Sequence, residues 1–182
     1  MAVLVYSELP FGLRSAALSP LTVEPSTYGV KVDVPRIQNI EMAEEEDSTE
    51  MNAADVRVAV HTFATRGTGS ITAGGMNLDT LALLTGGSVS AAVGSSPNRV
   101  VTFARTSTQT KKYFKMEGQI YGDDAGDLHM IWFKVKCSGG PTFAANQGEF
   151  MVLTGDLEGV FTSETPGKLY TLIANETVIA IA

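Results

Sequence analysis

Between two patterns typical of β-strands, the chain reads Glu41-Met-Ala-Glu-Glu-Glu-Asp-Ser-Thr-Glu-Met-Asn-Ala-Ala-Asp55. The flanking patterns are Tyr28-Gly-Val-Lys-Val-Asp-Val34 and Val56-Arg-Val-Ala-Val60, in which valines alternate as in a half-buried strand. Compact domains seldom contain a long unstructured connection between two strands, and such connections are usually functional. The sequence therefore predicts an acidic loop, residues 41–55, that projects from a β-sheet body and docks onto another surface.

The acidic stretch holds the whole net charge of the chain. The protein has 20 acidic and 13 basic residues, which gives a net charge of −7. Outside the stretch the two signs balance at 13 each. A sequence pI near 4.8 argues against binding of a nucleic-acid backbone through a basic surface. The seven acids of the stretch are Glu41, Glu44, Glu45, Glu46, Asp47, Glu50 and Asp55.

Length and composition are typical of one soluble globular domain. The chain has 182 residues, 44% of them hydrophobic, and a domain of this size buries about 70% of its unfolded surface. No apolar run approaches the roughly 20 residues of a membrane span, so we expect no membrane insertion. The single cysteine, Cys137, cannot form an intramolecular disulfide, which is compatible with a reducing cytoplasm.

The predicted organisation is an arm, a β-domain and a short C-terminal segment. Residues 1–27 contain three prolines and few alternating positions, which predicts an irregular N-terminal arm. Residues 28–176 are predicted to form the β-domain, and residues 177–182 a C-terminal arm or strand. Because this last segment is uncharged and β-branched, we expect it to pair within the subunit or with a neighbour.

Residues 77–85 carry the one persuasive helix pattern. Asn77 can cap the free N–H groups of the first turn, and an apolar stripe of Leu78, Leu81 and Leu84 follows. The pair Gly86-Gly87 supplies the residue that commonly ends a helix. From residue 88 onward, β-branched and aromatic runs alternate with turns. The sequence thus predicts a mainly β fold, an antiparallel β-sandwich or barrel with one short flanking α-helix and a long inter-strand loop.

No pattern typical of catalysis or metal binding is present, so we expect no enzyme activity and no cofactor. His61 and His129 lie in strand patterns without a second ligand type nearby, and we expect surface or half-buried histidines. Cys137 ends a strand pattern and should be a buried thiol. The run Gly122-Asp-Asp-Ala-Gly-Asp127 lacks the ligand spacing of a calcium loop and should be a hairpin turn.

Residues 99–136 are rich in basic side chains, with seven against four acids. This region is an electrostatic counterpart for the acidic loop, on the same subunit or on another copy. Its run Lys111-Lys-Tyr-Phe-Lys115 could stack on nucleic-acid bases, although alternating aromatic residues in a strand are more often core. The residues assigned to the basic counter-patch are Arg99, Arg105, Lys111, Lys112 and Lys115.

The order of these patterns over roughly residues 28–175 resembles the major tail tube proteins of long, non-contractile-tailed bacteriophages. None of the segments is a catalytic motif, and the resemblance depends on their order. After the long polar loop come the return strand 56–63, the helix segment 76–87, the hairpin 118–133, and the stretches 139–143 and 148–159.

The resemblance implies a β-sandwich subunit that closes into hexameric rings, which stack into a tube. In this family the inner sheets form a continuous barrel, the long loop reaches the adjacent ring and terminal arms bridge subunits. Contractile-tail tubes and the type VI secretion tube share this architecture. Implied partners are further copies of the chain and the tape-measure, tail-terminator and tail-tip proteins. Double-stranded DNA would pass through the lumen without specific binding, in a virion tail that assembles in the host cytoplasm.

Two alternatives stay open from the sequence. The acidic loop either meets the basic region of the next ring or faces the bore, and we favour the contact between rings. The other functional interpretation is a carbohydrate- or receptor-binding β-sandwich of a virion. Such a module needs exposed aromatic side chains near the Asp-rich turn, whereas the single tryptophan, Trp132, lies inside a strand pattern.

Overall fold

Antiparallel strands form most of the structure, a computed structural model that describes residues 10–53, 56–75, 77–122 and 126–181. A single helix, α1 (Leu78–Thr85), interrupts the succession of strands. The strands are β1 (Pro10–Val23), β2 (Thr27–Tyr28), β3 (Val32–Asp33), β4 (Ile37–Ala53), β5 (Val56–Ala73), β6 (Ser88–Val89), β7 (Phe103–Ala104), β8 (Phe114–Gly122), β9 (Asp127–Cys137), β10 (Thr142–Ala144), β11 (Val152–Gly159) and β12 (Tyr170–Asn175).

Ten strands belong to one sheet, whose path runs β2-β1-β8-β9-β11-β5-β4. Beside this path, β3 pairs with β1, β12 with β9, and β10 with β11, while β6 and β7 form a separate small sheet. The sheet curves so that β1 contacts β4 and the apolar core lies between its two parts. Its end strands β2 and β4 do not pair in the described residues. The predicted mainly β antiparallel fold is therefore confirmed, as an open curved sheet rather than a closed barrel.

The helix begins and ends where the sequence predicts. The side-chain oxygen of Asn77 accepts a hydrogen bond of 2.9 Å from the backbone N–H of Asp79, a cap that typically contributes about 1 kcal/mol. Gly86 ends the helix with a φ of 78°, a left-handed conformation that favours glycine. Leu81 and Leu84 are buried and hold the helix against the sheet.

The predicted irregular N-terminal arm is wrong over Pro10–Val23, which forms β1. This strand lies inside the sheet, with β8 on one edge and β2 and β3 on the other. Four consecutive residues from Ala16 to Ser19 are buried, because the strand is covered on both faces. Such a strand shows no alternation, which explains why the sequence pattern concealed it. Residues 1–9 of the predicted arm lie outside the described residues.

A pair of glycines makes room for the largest core side chain. Trp132 in β9 is fully buried and faces Gly67 in β5 and Gly159 in β11, which are directly opposite each other across the two strands. A Cβ atom added to Gly67 would lie 2.6 Å from the indole Cζ2, and one added to Gly159 would lie closer still to the ring. The glycine pair therefore forms a slot in which the indole lies directly against the backbone.

The glycine slot gives a first testable prediction. Gly67→Ala and Gly159→Ala should each lower the free energy of unfolding by about 1–3 kcal/mol, because the added methyl forces the indole or the strands to shift. Urea denaturation followed by the fluorescence of Trp132 measures the change. Gly140→Ala is the matched control, since a Cβ there has no atom within 4 Å. Equal stability of all three variants would contradict the slot.

Candidate functional site

The acidic stretch is a strand and not the predicted loop. Residues 41–53 lie in β4, which pairs with β5 from Ile37↔Ala73 to Ala53↔Val56 as one long antiparallel hairpin. Asp55, the last acid of the prediction, lies outside the described residues. Asp and Glu are depleted in strands, so composition favoured a loop. Pairing with β5 nevertheless gives the backbone its hydrogen-bond partners, and the acidic side chains remain in solvent.

The hairpin consists of a base inside the sheet and a tip outside it. In the base, β5 pairs with β4 on one edge and with β11 on the other, from Leu153↔Ala73 to Gly159↔Gly67. Beyond Gly67, the described pairings of β4 and β5 are only with each other. At about 3.3 Å per residue, residues 46–53 extend the tip by roughly 25 Å. A two-stranded ribbon of this kind is only marginally stable in water.

The two faces of the tip differ in chemistry. Residues of β4 and β5 that are directly opposite share a face, and successive pairs alternate between faces. One face carries the pairs Glu46↔Ala64, Ser48↔Thr62 and Glu50↔Val60, and the other carries Asp47↔Phe63, Thr49↔His61 and Met51↔Ala59. We call them the glutamate face and the aromatic face.

Several apolar side chains of the tip remain in solvent. On the aromatic face, Met51 and Phe63 are 61% and 44% exposed, and Val60 on the glutamate face is 49% exposed. The rings of His61 and Phe63 stack with their centroids 6.0 Å apart. Acids accompany apolar groups on both faces, and such a surface suits contact with another protein surface.

Among the predicted docking acids, Glu41, Glu44 and Glu45 bind side chains of other strands in their own subunit. Glu41 accepts a hydrogen bond of 3.2 Å from the Ser70 hydroxyl, and Glu44 one of 3.1 Å from the Tyr170 hydroxyl. The third, Glu45, forms an ion pair of 2.6 Å with Arg66. All three lie at or beside the base, so the described acids of the tip are Glu46, Asp47 and Glu50.

Arg66 joins three strands on the surface of the sheet. Its guanidinium contacts Glu45 of β4 at 2.6 Å and Glu158 of β11 at 3.2 Å. The hydrogen bond to Glu45 is the main reason that the pKa of Arg66 is raised. The sequence analysis missed this residue, although a cation one strand away from a run of acids was a signal that could have found it.

The predicted basic counter-patch is largely used within the subunit. Arg105 donates to the carbonyl of Thr85 at the end of the helix. Lys111 donates to the carbonyls of Cys137 and Gly139, and Lys115 forms an ion pair with Glu117 at 3.0 Å. Arg99, Arg105 and Lys112 are the exposed members of the patch among the described residues, and Arg105 is the one of the three that also binds within the subunit.

A small apolar cleft lies beside the base of the hairpin, between β4, β8, β9 and β12. Its volume is about 360 Å³, and Met42, Met130 and Leu172 contribute to its lining. The hydrogen bond between Tyr170 and Glu44 connects β12 to β4 at this cleft. The same hydrogen bond is the main cause of the raised pKa of the Tyr170 phenol.

The residues considered for catalysis or metal binding are dispersed. In the described ranges, no group of three His, Cys, Asp or Glu side chains could hold a metal ion. Cys137 is buried as predicted, and burial raises the pKa of its thiol. His129 is also buried, which contradicts the expected surface or half-buried position. Asp127 opens β9 as a buried residue, and the neighbouring Asp123 and Asp124 lie outside the described residues.

A comparison with known protein families and with curated proteins finds no significant match. Within the part of the chain that the structure describes, no helix is long and apolar enough to cross a membrane. Function must therefore be argued from the hairpin and the sheet themselves.

The division of the hairpin into a base and a tip predicts that their backbone amides are protected from hydrogen exchange to different extents. In the isolated subunit, amide protons of residues 46–53 and 59–64 should exchange at least about tenfold faster than those of Gly67–Ala73, because the tip has neighbours on one edge only. Hydrogen–deuterium exchange read by mass spectrometry measures both parts of the same strand. Uniform protection along the whole of β5 would contradict this description.

Proposed function

We propose that the chain is a structural subunit that assembles into hexameric rings, and that the rings stack into the tail tube of a long, non-contractile-tailed bacteriophage. The genome would pass through the tube on its way to the host. The observation that carries the proposal is the projecting hairpin tip, a ribbon of roughly 25 Å that is marginally stable in water and whose described pairings beyond Gly67 are only between β4 and β5.

The tip supports contact with a second copy. A ribbon with Phe63, Val60 and Met51 partly exposed is stabilised when another surface covers it. Its acids Glu46, Asp47 and Glu50 favour a surface with basic side chains, and the exposed members of the counter-patch are Arg99, Arg105 and Lys112. In the proposed tube, the hairpin tips of one ring contact the next ring and do not line the bore.

The edges of the sheet support contact within a ring. Strand β12 pairs only with β9 in the described residues, and its residues Leu172 and Ile173 are 53% and 40% exposed. An unpaired strand edge is a template for a strand from another chain. A contact between two different patches of each copy closes into a ring when the rotation between copies closes.

The remaining partners follow from the same proposal. A tube of this kind would enclose double-stranded DNA without binding it, and it would meet tape-measure, tail-terminator and tail-tip proteins at its interior and ends. Its place would be the tail of the virion after assembly in the host cytoplasm. The single tryptophan does not support a glycan-binding module, because Trp132 is fully buried and cannot stack on a sugar.

Electron microscopy of the concentrated protein tests assembly. We expect rings or hollow tubes in negative stain. In assembled tubes, the amides of the hairpin tip should exchange hydrogen more slowly than in the isolated subunit. A species that stays strictly monomeric at high concentration, in the presence of tail partners, would overturn the proposal. Binding of that monomer on a glycan array would favour the module with carbohydrate-binding function.

Shortening the hairpin tests the role of the tip. Residues 47–63 are replaced by Asn-Gly, a two-residue turn suited to joining antiparallel strands, so that Glu46 and Ala64 keep their pairing. We expect an unchanged melting temperature within a few degrees and loss of long tubes. Normal tube lengths with the shortened hairpin would contradict docking by the tip.

Charge at the tip is tested separately from shape. In the triple variant Glu46→Gln, Asp47→Asn and Glu50→Gln, we expect tube formation to weaken at least about tenfold and to lose most of its salt dependence. The matched control removes three exposed charges of the body: Asp33→Asn, Glu149→Gln and Asp156→Asn. Equal effects of both triple variants would show that net charge matters and the position of the acids does not.

A further inference from the structure

The C-terminal segment, residues 176–181, makes backbone hydrogen bonds to the body of the subunit at Ile179 and at the Ile181 carbonyl, which accepts one of 3.0 Å from Lys31. It follows β12 without forming a strand, and the side chains of Val178 and Ile179 are 50% and 51% exposed. These two side chains are therefore only half buried, and Ile181 is partly buried. The N–H and C=O groups of Ile179, by contrast, both make hydrogen bonds to the body.

A buried carboxylate lies at the centre of these contacts. Asp127 is fully buried, and its Oδ2 accepts hydrogen bonds from Gln119 Nε2 at 2.6 Å and from the backbone N–H of Ile179 at 3.1 Å. Its Oδ1 accepts one of 2.8 Å from Asn175 Nδ2. His129 Nε2 lies 3.0 Å from Oδ2. Burial raises the pKa of Asp127, but these hydrogen bonds outweigh it and lower the pKa to about 2, so the carboxylate acts as an acceptor at neutral pH.

Gln119 and His129 also bind the carbonyl oxygen of Ile179. Gln119 Nε2 donates to this oxygen at 2.8 Å, and His129 Nε2 lies 2.8 Å from it. Because both neighbours of His129 Nε2 are acceptors, this nitrogen carries the proton. Ser15 Oγ donates to Gln119 Oε1 at 3.0 Å, which orients the amide so that its NH₂ group faces Asp127 and Ile179.

We propose that Asp127, Gln119 and His129 form a binding site for the main chain of a peptide segment, and that the C-terminal segment around Ile179 is its exchangeable ligand. The site contacts one N–H and one C=O of the ligand, while the side chain of Ile179 remains half exposed. It therefore recognises backbone geometry more than side-chain identity. The isolated subunit fills the site with its own segment, and the same segment of a second copy presents identical groups.

Two substitutions of one residue in the full chain test the site. Ile179→Pro removes the N–H that Asp127 accepts, whereas Ile179→Ala keeps it and changes only a half-exposed side chain. We expect amide exchange of residues 176–181 to accelerate at least about tenfold in the proline variant and less than about threefold in the alanine variant. Equal acceleration in both would show that side-chain packing holds the segment, which would overturn the proposal.

Exchange is tested by adding the segment in trans. A fluorescent peptide of residues 176–182 is added to the full-length Ile179→Pro chain, whose site lacks its matched ligand. We expect the peptide to bind the proline variant saturably, as measured by fluorescence anisotropy. Binding to the Ile179→Ala chain should be at least about tenfold weaker, because its own segment fills the site. Adding Asp127→Asn to the proline variant should abolish binding. Absence of binding, or equal binding to all three chains, would contradict an exchangeable site.

Sedimentation distinguishes the two sources of the ligand. With the segment bound within its own chain, the Ile179→Pro and Ile179→Ala chains should sediment as the same species in dilute solution. A larger species for the alanine variant alone would show that the site is filled by a second copy. None of these measurements requires tubes, so failure of the assembly proposal and failure of this site give different results.

Discussion

The contact between Trp132 and the glycine pair Gly67–Gly159 is the constraint on which the rest of the arrangement depends. Strand β9 supplies the indole, and β5 and β11 supply the two glycines. The indole nitrogen has no hydrogen-bond partner among the described residues, so shape and apolar burial hold it. A side chain on either glycine would separate the strands at the point where the hairpin leaves the sheet.

The hairpin changes from apolar to acidic along its length because its base packs in the sheet and its tip lies in solvent. Ile40 and Met42 pack against the core, whereas Glu44, two residues further along, reaches the Tyr170 hydroxyl. Beyond this point the described strand is exposed or only partly buried, and acids replace apolar residues. The base thus obtains its stability from the sheet, while the tip retains a surface whose stability depends on what covers it.

The sequence predicts the parts of this fold that local chemistry determines, and the helix with its Asn77 cap and Gly86 end is the clearest case. It does not predict β1, because a strand buried on both faces has no alternation of apolar and polar residues. It also does not predict the acidic strand β4, because pairing with β5 imposes an extended conformation that the composition of β4 disfavours. The cluster around Asp127 was equally hidden, because Gln119 lies opposite His129 only through the pairing of β8 with β9, and Ile179 comes from 52 residues further along the chain. Gly159 is visible in the sequence, but the reason for a glycine there is a tryptophan on the neighbouring strand β9.

In the proposed tube, a tip that is ordered by its neighbour would have a thermodynamic consequence for growth. The first two rings to meet would bear the conformational entropy of aligning several ribbons at once, with few contacts already in place to offset it. Each later ring would meet an end where a docking surface already exists. Initiation would then be slow and extension fast, so polymerisation would wait for a template and would not begin spontaneously in dilute solution.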